Sequence, residues 1–240
     1  MRSRRQRWAI AGLIIASASC TDAAQSQVTV PVHALGVSGG LVTLGNWQIG
    51  FCVAKVALGP MYFCAAASGS ATLCQSAQAE VRSIAVVDLL DLRPQSIGWL
   101  RGETGRVRSA SFDYGILWTA TQSNAASHPS NTLGHSAYFE GEARNGVLAV
   151  PFTATIDIAP QYRGQRTVPT VATEGTLTSN QEPLTIRLDF GKWFSQVDFD
   201  KQAAGQTLTI LPGSSEHNAV VLGMTSISPP QFGWGQTPLQ

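Results

Sequence analysis

Charged side chains are scarce in this sequence: Asp, Glu, Lys and Arg make up 13% of 240 residues, about half of the roughly 25% usual in soluble domains. Four of the 16 Lys and Arg are Arg2, Arg4, Arg5 and Arg7, at the very start, so 12 remain against 15 Asp and Glu and the rest of the chain is near −3. A mildly acidic body does not suit nucleic acid, which calls for a basic patch and a high pI. Histidine is sparse as well. His33, His128, His135 and His217 stand singly, with neither H-x-H nor H-E-x-x-H spacing. Cys20, Cys52, Cys64 and Cys74 contain no C-x-x-C, so spacing gives no zinc site. No repeat of fixed period and no low-complexity tract stands out. The apolar run from Trp8 to Ala16 falls short of the about 20 residues that span a bilayer.

What that run does have is a basic head before it and small residues after it, the parts of a secretory signal. Residues 1–19 are therefore set apart from the fold. Ala16-Ser17-Ala18 is an A-x-A site for ordinary signal peptidase, which would leave a soluble secreted protein. Ser17-Ala18-Ser19-Cys20 reads instead as a lipobox, with Ser17 where an apolar residue is usual. Ser3-Arg4-Arg5-Gln6 also touches the twin-arginine pattern, but Arg7 sits where an apolar residue is preferred.

The first 20 residues thus resemble bacterial lipoprotein precursors. The resemblance implies that Cys20 is alkylated with diacylglycerol, that the chain is cut before it, and that the new amino group is acylated, typically with palmitate. Each buried methylene is worth about 0.8 kcal/mol, and two or more chains hold a protein stably on a membrane. Thr21 stands where the family's inner-membrane retention aspartate would be, which implies the outer membrane, on its periplasmic or surface face. Residues 20–27 are polar and small, a lipidated tether, and 28–240 form the folded domain.

Within that domain apolar residues return with period two, the sign of half-buried strands. VTVPVHA (28–34) alternates, and WQIGFCV (47–53) places Trp47, Ile49, Phe51 and Val53 on one face. Gly59-Pro60 is a turn signal, and MYFCA (61–65) reads as the returning strand. Further strands are expected at 81–89, 106–118, 135–143, 147–158, 183–190 and 207–211. Pro, Gly, Asn and Ser clusters separate them at 123–134 and 160–169, and Asn145-Gly146 marks a hairpin. Helix signal is thin: AQAEVRSIAVVDLL is too β-branched, and KWFSQV (192–197) offers one turn. The expected fold is all-β, an antiparallel sandwich or partly closed barrel in a single domain.

If Cys20 carries lipid, three cysteines are left. Cys64 and Cys74 bracket a loop of small residues, and joining them would stabilise the fold by about 3 kcal/mol. Cys52 then stays reduced, a small hydrophobe in the core. The rival pairing is Cys52 with Cys64.

Candidate chemistry is weak throughout. Gly36-Val37-Ser38-Gly39-Gly40 matches G-x-S-x-G, but a nucleophile elbow needs a helix to follow, and LVTLGNWQI is strand-like. His33 and His135, with Glu140, Glu142 or Met224, are the candidates for a copper-type site. Asp198-Phe199-Asp200 begins like a calcium loop but lacks its glycine and final glutamate. Glu140 and Glu142 share a strand face, with nothing to show that they flank a glycosidic bond. Tyr62, Trp99, Trp118, Tyr138, Trp193 and Trp234 are candidates for a glycan or peptide surface, and Trp234, among glycines near the end, stands out. No cofactor and no catalytic residue is indicated. The expectation is a membrane-anchored envelope lipoprotein whose β-domain binds an envelope protein or glycan, or serves structurally. A periplasmic copper-binding protein is the alternative, and a hydrolase ranks below both.

Overall fold

Strand follows strand through the described residues of the computed structural model, which are 25–67, 77–118, 124–127, 132–203 and 205–235. β1 (Gln27–Gly36), β2 (Leu41–Leu44), β3 (Trp47–Leu58) and β4 (Met61–Cys64) come first. β5 (Ala77–Val81), β6 (Ala85–Asp88), β7 (Gln95–Glu103), β8 (Gly105–Phe112) and β9 (Ile116–Leu117) follow. Next are β10 (Ala126–Ser127), β11 (Ala137–Asn145), β12 (Leu148–Ile156), β13 (Val168–Leu177) and β14 (Leu184–Leu188). Two 3-10 turns, at Phe190–Phe194 and Phe199–Lys201, lead to β15 (Leu208–Ile210). Helix α1 (Ser215–Leu222), a π-helical turn at Gly223–Ile227 and β16 (Gln231–Trp234) complete the described chain.

Eight strands make one sheet in the order β13-β8-β4-β5-β7-β1-β14-β16. Phe63 on β4 lies 5.5 Å from Phe232 and 5.1 Å from Trp234, both on β16, ring centre to ring centre. Strands five places apart in a sheet meet only if the sheet curls, so this one is a nearly closed barrel. Its two end strands, β13 and β16, come together without a backbone ladder. At that seam a side chain on Gly175 of β13 would put its Cβ 2.3 Å from Cγ of Trp234. Glycine leaves the space that the indole fills, and the indole N–H donates to the Thr173 hydroxyl at 2.7 Å.

A second sheet, β15-β12-β11-β3-β2 with β6 also on β3, completes an all-β single domain. Pairing is antiparallel except for β1 with β14 and β12 with β15, which run parallel. This sheet buries Phe51 edge-on against Phe139, Phe152, Phe190 and Phe194, with centroids 5.1–6.2 Å apart. Edge-to-face pairs of this kind add about 0.5–1.5 kcal/mol each beyond area burial. Phe190 and Phe194 come from the first 3-10 turn, which plugs the sheet's open side.

The expected inward face of β3 holds for Trp47, Ile49 and Phe51 but not for Val53. Val53 opposes Glu140 while Phe51 opposes Gly141, so Cys52 is the extra residue of a β-bulge. The bulge flips the phase. Ala54 and Val56 take the buried places, and Cys52 is a free thiol facing solvent rather than a core hydrophobe. The hairpin marked by Asn145-Gly146 is present, but Asn145 pairs with Leu148 and the two loop residues are Gly146 and Val147. Gly146, at φ +59°, is thus the first loop residue, the place where a type II′ turn needs positive φ. The expected strand 81–89 is broken into the end of β5 and all of β6, which belong to different sheets.

Candidate functional site

Ser38 lies between two strands, with β2 rather than a helix after it, so no nucleophile elbow forms. Its hydroxyl donates to Asp189 Oδ1 at 2.6 Å, and Lys192 Nζ pairs with Asp189 Oδ2 at 3.2 Å. The glycine-rich turn is thereby pinned to the first 3-10 turn. His33, half-buried on β1 of the barrel, and His135, just before β11 of the second sheet, are not brought together. His135 Nδ1 instead meets Asp157 Oδ1 at 2.8 Å, and the Asp157 backbone N–H donates to Nε2 of buried His217 at 3.1 Å. Met224 is fully buried, with the hydroxyl of Tyr114 donating to its carbonyl. Among the described residues no three His, Cys, Asp or Glu side chains converge as a metal requires, so the copper-type ligand set does not assemble. His128 lies outside the described residues.

The carboxylates are engaged locally. Asp200 accepts the indole N–H of Trp47 at 3.1 Å, and Asp198 pairs with Lys201 at 3.0 Å, a contact that lowers the Asp198 carboxyl from its usual value. Glu140 accepts the Tyr138 hydroxyl, raising that phenol, and Glu142 pairs with Arg144. Trp234 is 6% exposed and closes the barrel seam, with its edge lining a groove beside Glu174, Gln181 and Gly235. Of the glycines near it, Gly175 leaves room for the indole and Gly235 takes a positive φ of +65° just after it. Cys64 is buried at the end of β4 and disulfide-bonded, while Cys52 is free, which removes the rival pairing of those two. Cys20 and Cys74 lie outside the described residues.

One buried charge pair gave no sequence signal. Asp113 is fully buried after β8, where it accepts from Arg166 Nη1, the Thr167 backbone N–H at 2.8 Å and the Thr167 hydroxyl at 3.0 Å. The guanidinium also lies over the Tyr62 ring, 5.0 Å from its centre. Burial pushes the Asp113 carboxyl up, against the pull of Arg166 and Thr167. The pair fastens the segment before β13 to the barrel, a structural task.

Among the described residues, the barrel wall carries a cleft that combines an exposed indole with charged side chains. Tyr62 on β4, Glu80 on β5, Arg101 on β7 and Thr29 on β1 stand in one cross-strand row, and Trp99 on β7 stands opposite Pro31. Alternate residues of a strand share a face, so Trp99 and Arg101 point outward while Leu100, Val81 and Val30 fill the interior. After β5 the chain turns back on β7. Ser83 donates its hydroxyl to the Ile97 carbonyl at 2.7 Å, and Arg82 Nε donates to Glu80 Oε1 at 2.7 Å. Gly98, at φ +130°, makes this approach feasible, because a Cβ there would lie 2.1 Å from Ser83 Oγ.

The result is a cleft of about 410 Å³ lined by Glu80, Arg82, Ser83, Gly98, Trp99 and Arg101. It runs on, past Glu80 and Arg101, into a groove of about 450 Å³ at Gln27–Thr29, where β1 begins. Trp99 is 56% exposed, whereas Trp47, Trp193 and Trp234 are buried and Trp118 is half-buried. Aromatic candidacy alone did not separate Trp99 from Trp234. Its neighbour Leu100 is the signal: on a one-sided strand, adjacent Trp and Leu cannot both face the core. No protein-family model, curated protein or solved structure matches the chain.

Proposed function

We propose that this chain is an exported protein held at the cell envelope by lipid on Cys20, and that its barrel is a non-catalytic binding domain working through the Trp99 cleft. The carrying observation is an indole left 56% exposed in a concave site on a stiff barrel wall. An exposed indole forfeits the favourable burial of a large apolar surface, and an aromatic among a few placed polar groups is the usual make-up of a ligand site. The neighbouring groove reaches Gln27–Thr29, next to the tether, so a bound partner would sit close to the membrane. The basic head, apolar run and lipobox support export and lipidation. A disulfide-bonded Cys64 suits an oxidising compartment, and Cys74 is its proposed partner. Thr21 favours the outer membrane.

Two measurements test the reading. Cys20→Ala abolishes palmitate labelling and releases the protein from the membrane fraction; unchanged labelling and fractionation refute the tether. Full-length protein applied to glycan and peptide arrays gives signals that Trp99→Ala erases. An array with no Trp99-dependent signal refutes the binding site.

A further inference from the structure

We propose that the Trp99 cleft binds a carboxylate-bearing saccharide, with the sugar ring on the indole face and its carboxylate on Arg101. The inference rests on the binding-domain reading and names its ligand class. A peptide added as a strand fits poorly here, because β1 takes one edge of β7, β5 takes the other at Leu100–Gly102, and the Ser83 hydroxyl already occupies the Ile97 carbonyl beyond it. What the site offers in abundance is side chains. Trp99 supplies a broad apolar face of the kind that covers the C–H side of a pyranose, and Glu80 supplies carboxylate oxygens as acceptors for ring hydroxyls.

Charge then selects among saccharides. The cleft holds Arg82 and Arg101 against Glu80, and Arg82 already pairs with Glu80 at 2.6 Å. Arg101 is left exposed, with no hydrogen bond or ion pair among the described residues. A guanidinium presents its donors as a planar fork that matches a carboxylate bidentately. Arg101 lies two residues from Trp99 on the same face of β7, so a carboxylate attached to the stacked ring falls within its reach. An anionic membrane surface fits less well, since such recognition uses clusters of about four to eight Lys and Arg. Here one arginine is neutralised and the site is concave.

The test uses full-length protein in detergent, titrated calorimetrically with oligogalacturonate, with its carboxyl-reduced oligomer, and with dihexanoyl phosphatidylglycerol. Oligogalacturonate is expected to bind, the reduced oligomer at least tenfold more weakly, and the lipid headgroup not at all. Trp99→Ala should abolish binding and Arg101→Gln weaken it about tenfold, with thermal unfolding unchanged in both because each side chain is exposed. Equal binding of the reduced oligomer overturns the acidic class. Binding of phosphatidylglycerol but not oligogalacturonate, or full binding by Trp99→Ala, overturns the proposal. Trp99-dependent array signals confined to neutral glycans or peptides would remove this ligand class and leave the binding-domain reading standing. An absence of any such signal removes both.

Discussion

Replacing Trp234 with alanine takes away the side chain that joins the two ends of the barrel sheet. The indole is 6% exposed, packs edge-on to Phe63 at 5.1 Å and donates to Thr173 at 2.7 Å. Truncating a buried Trp to Ala costs about 3–5 kcal/mol, and the lost hydrogen bond adds about 1 kcal/mol. A typical domain has about 5–15 kcal/mol in all. For a domain of this size each kcal/mol lowers Tm by about 2–4 °C, so a 4 kcal/mol loss gives a fall of about 8–16 °C. Urea unfolding followed by circular dichroism, with calorimetry, measures both quantities. Gly175→Ala supplies the sharper check, since its Cβ would lie 2.3 Å from the indole Cγ. It should destabilise the wild type strongly and cost little in the Trp234→Ala background, a large departure from additivity. Loss below about 1 kcal/mol for Trp234→Ala, the scale of a surface change, or additive behaviour of the two substitutions, would refute the seam.

Other expectations follow from the same geometry. Arg166→Ala leaves the Asp113 carboxylate buried without its cation and should cost about 3–5 kcal/mol, read by chemical denaturation. Because burial raises the Asp113 carboxyl above its usual 3.8, the folded chain holds that proton more tightly than the unfolded one. Stability therefore declines as pH rises from the ordinary aspartate range through the raised value, and Asp113→Asn should remove that slope from a pH series of melts. A non-reducing peptide map should join Cys64 to Cys74 and leave Cys52 alkylatable in the native protein; free Cys64 and Cys74 would refute the pairing.

The sequence was most readable where alternation is strict and one face is dry. β1, β11, β12 and β14 lie within a few residues of their expected positions, because Val30, Phe139, Phe152 and Ile186 repeat every second residue. β7, β13 and β16 went unread for different reasons. Gly98 and Gly102 interrupt QSIGWLRGE, VPTVATEGTL is diluted by small polar residues, and QFGW is only four residues long. Helix α1 shows no apolar stripe, and its one local sign is the Ser214 hydroxyl accepting the His217 N–H, an N-cap. The bulge at Cys52 was invisible because the extra residue is defined by its partner strand, not by its own neighbours. The Trp99 cleft needed the same nonlocal knowledge. Gly98, Ser83 and Arg101 acquire a common purpose only once β5 lies beside β7.

The parallel contact of β1 with β14 joins Val32 to Leu184 and Gly36 to Leu188, partners about 150 residues apart. During synthesis the opening strand therefore has no neighbour on that flank until most of the polypeptide has been made, and β16 arrives later still. Contacts so distant along the chain assemble slowly. In the export proposed above, this would postpone compaction until the chain had been threaded across the membrane, so order of manufacture would help to keep it fit for transport.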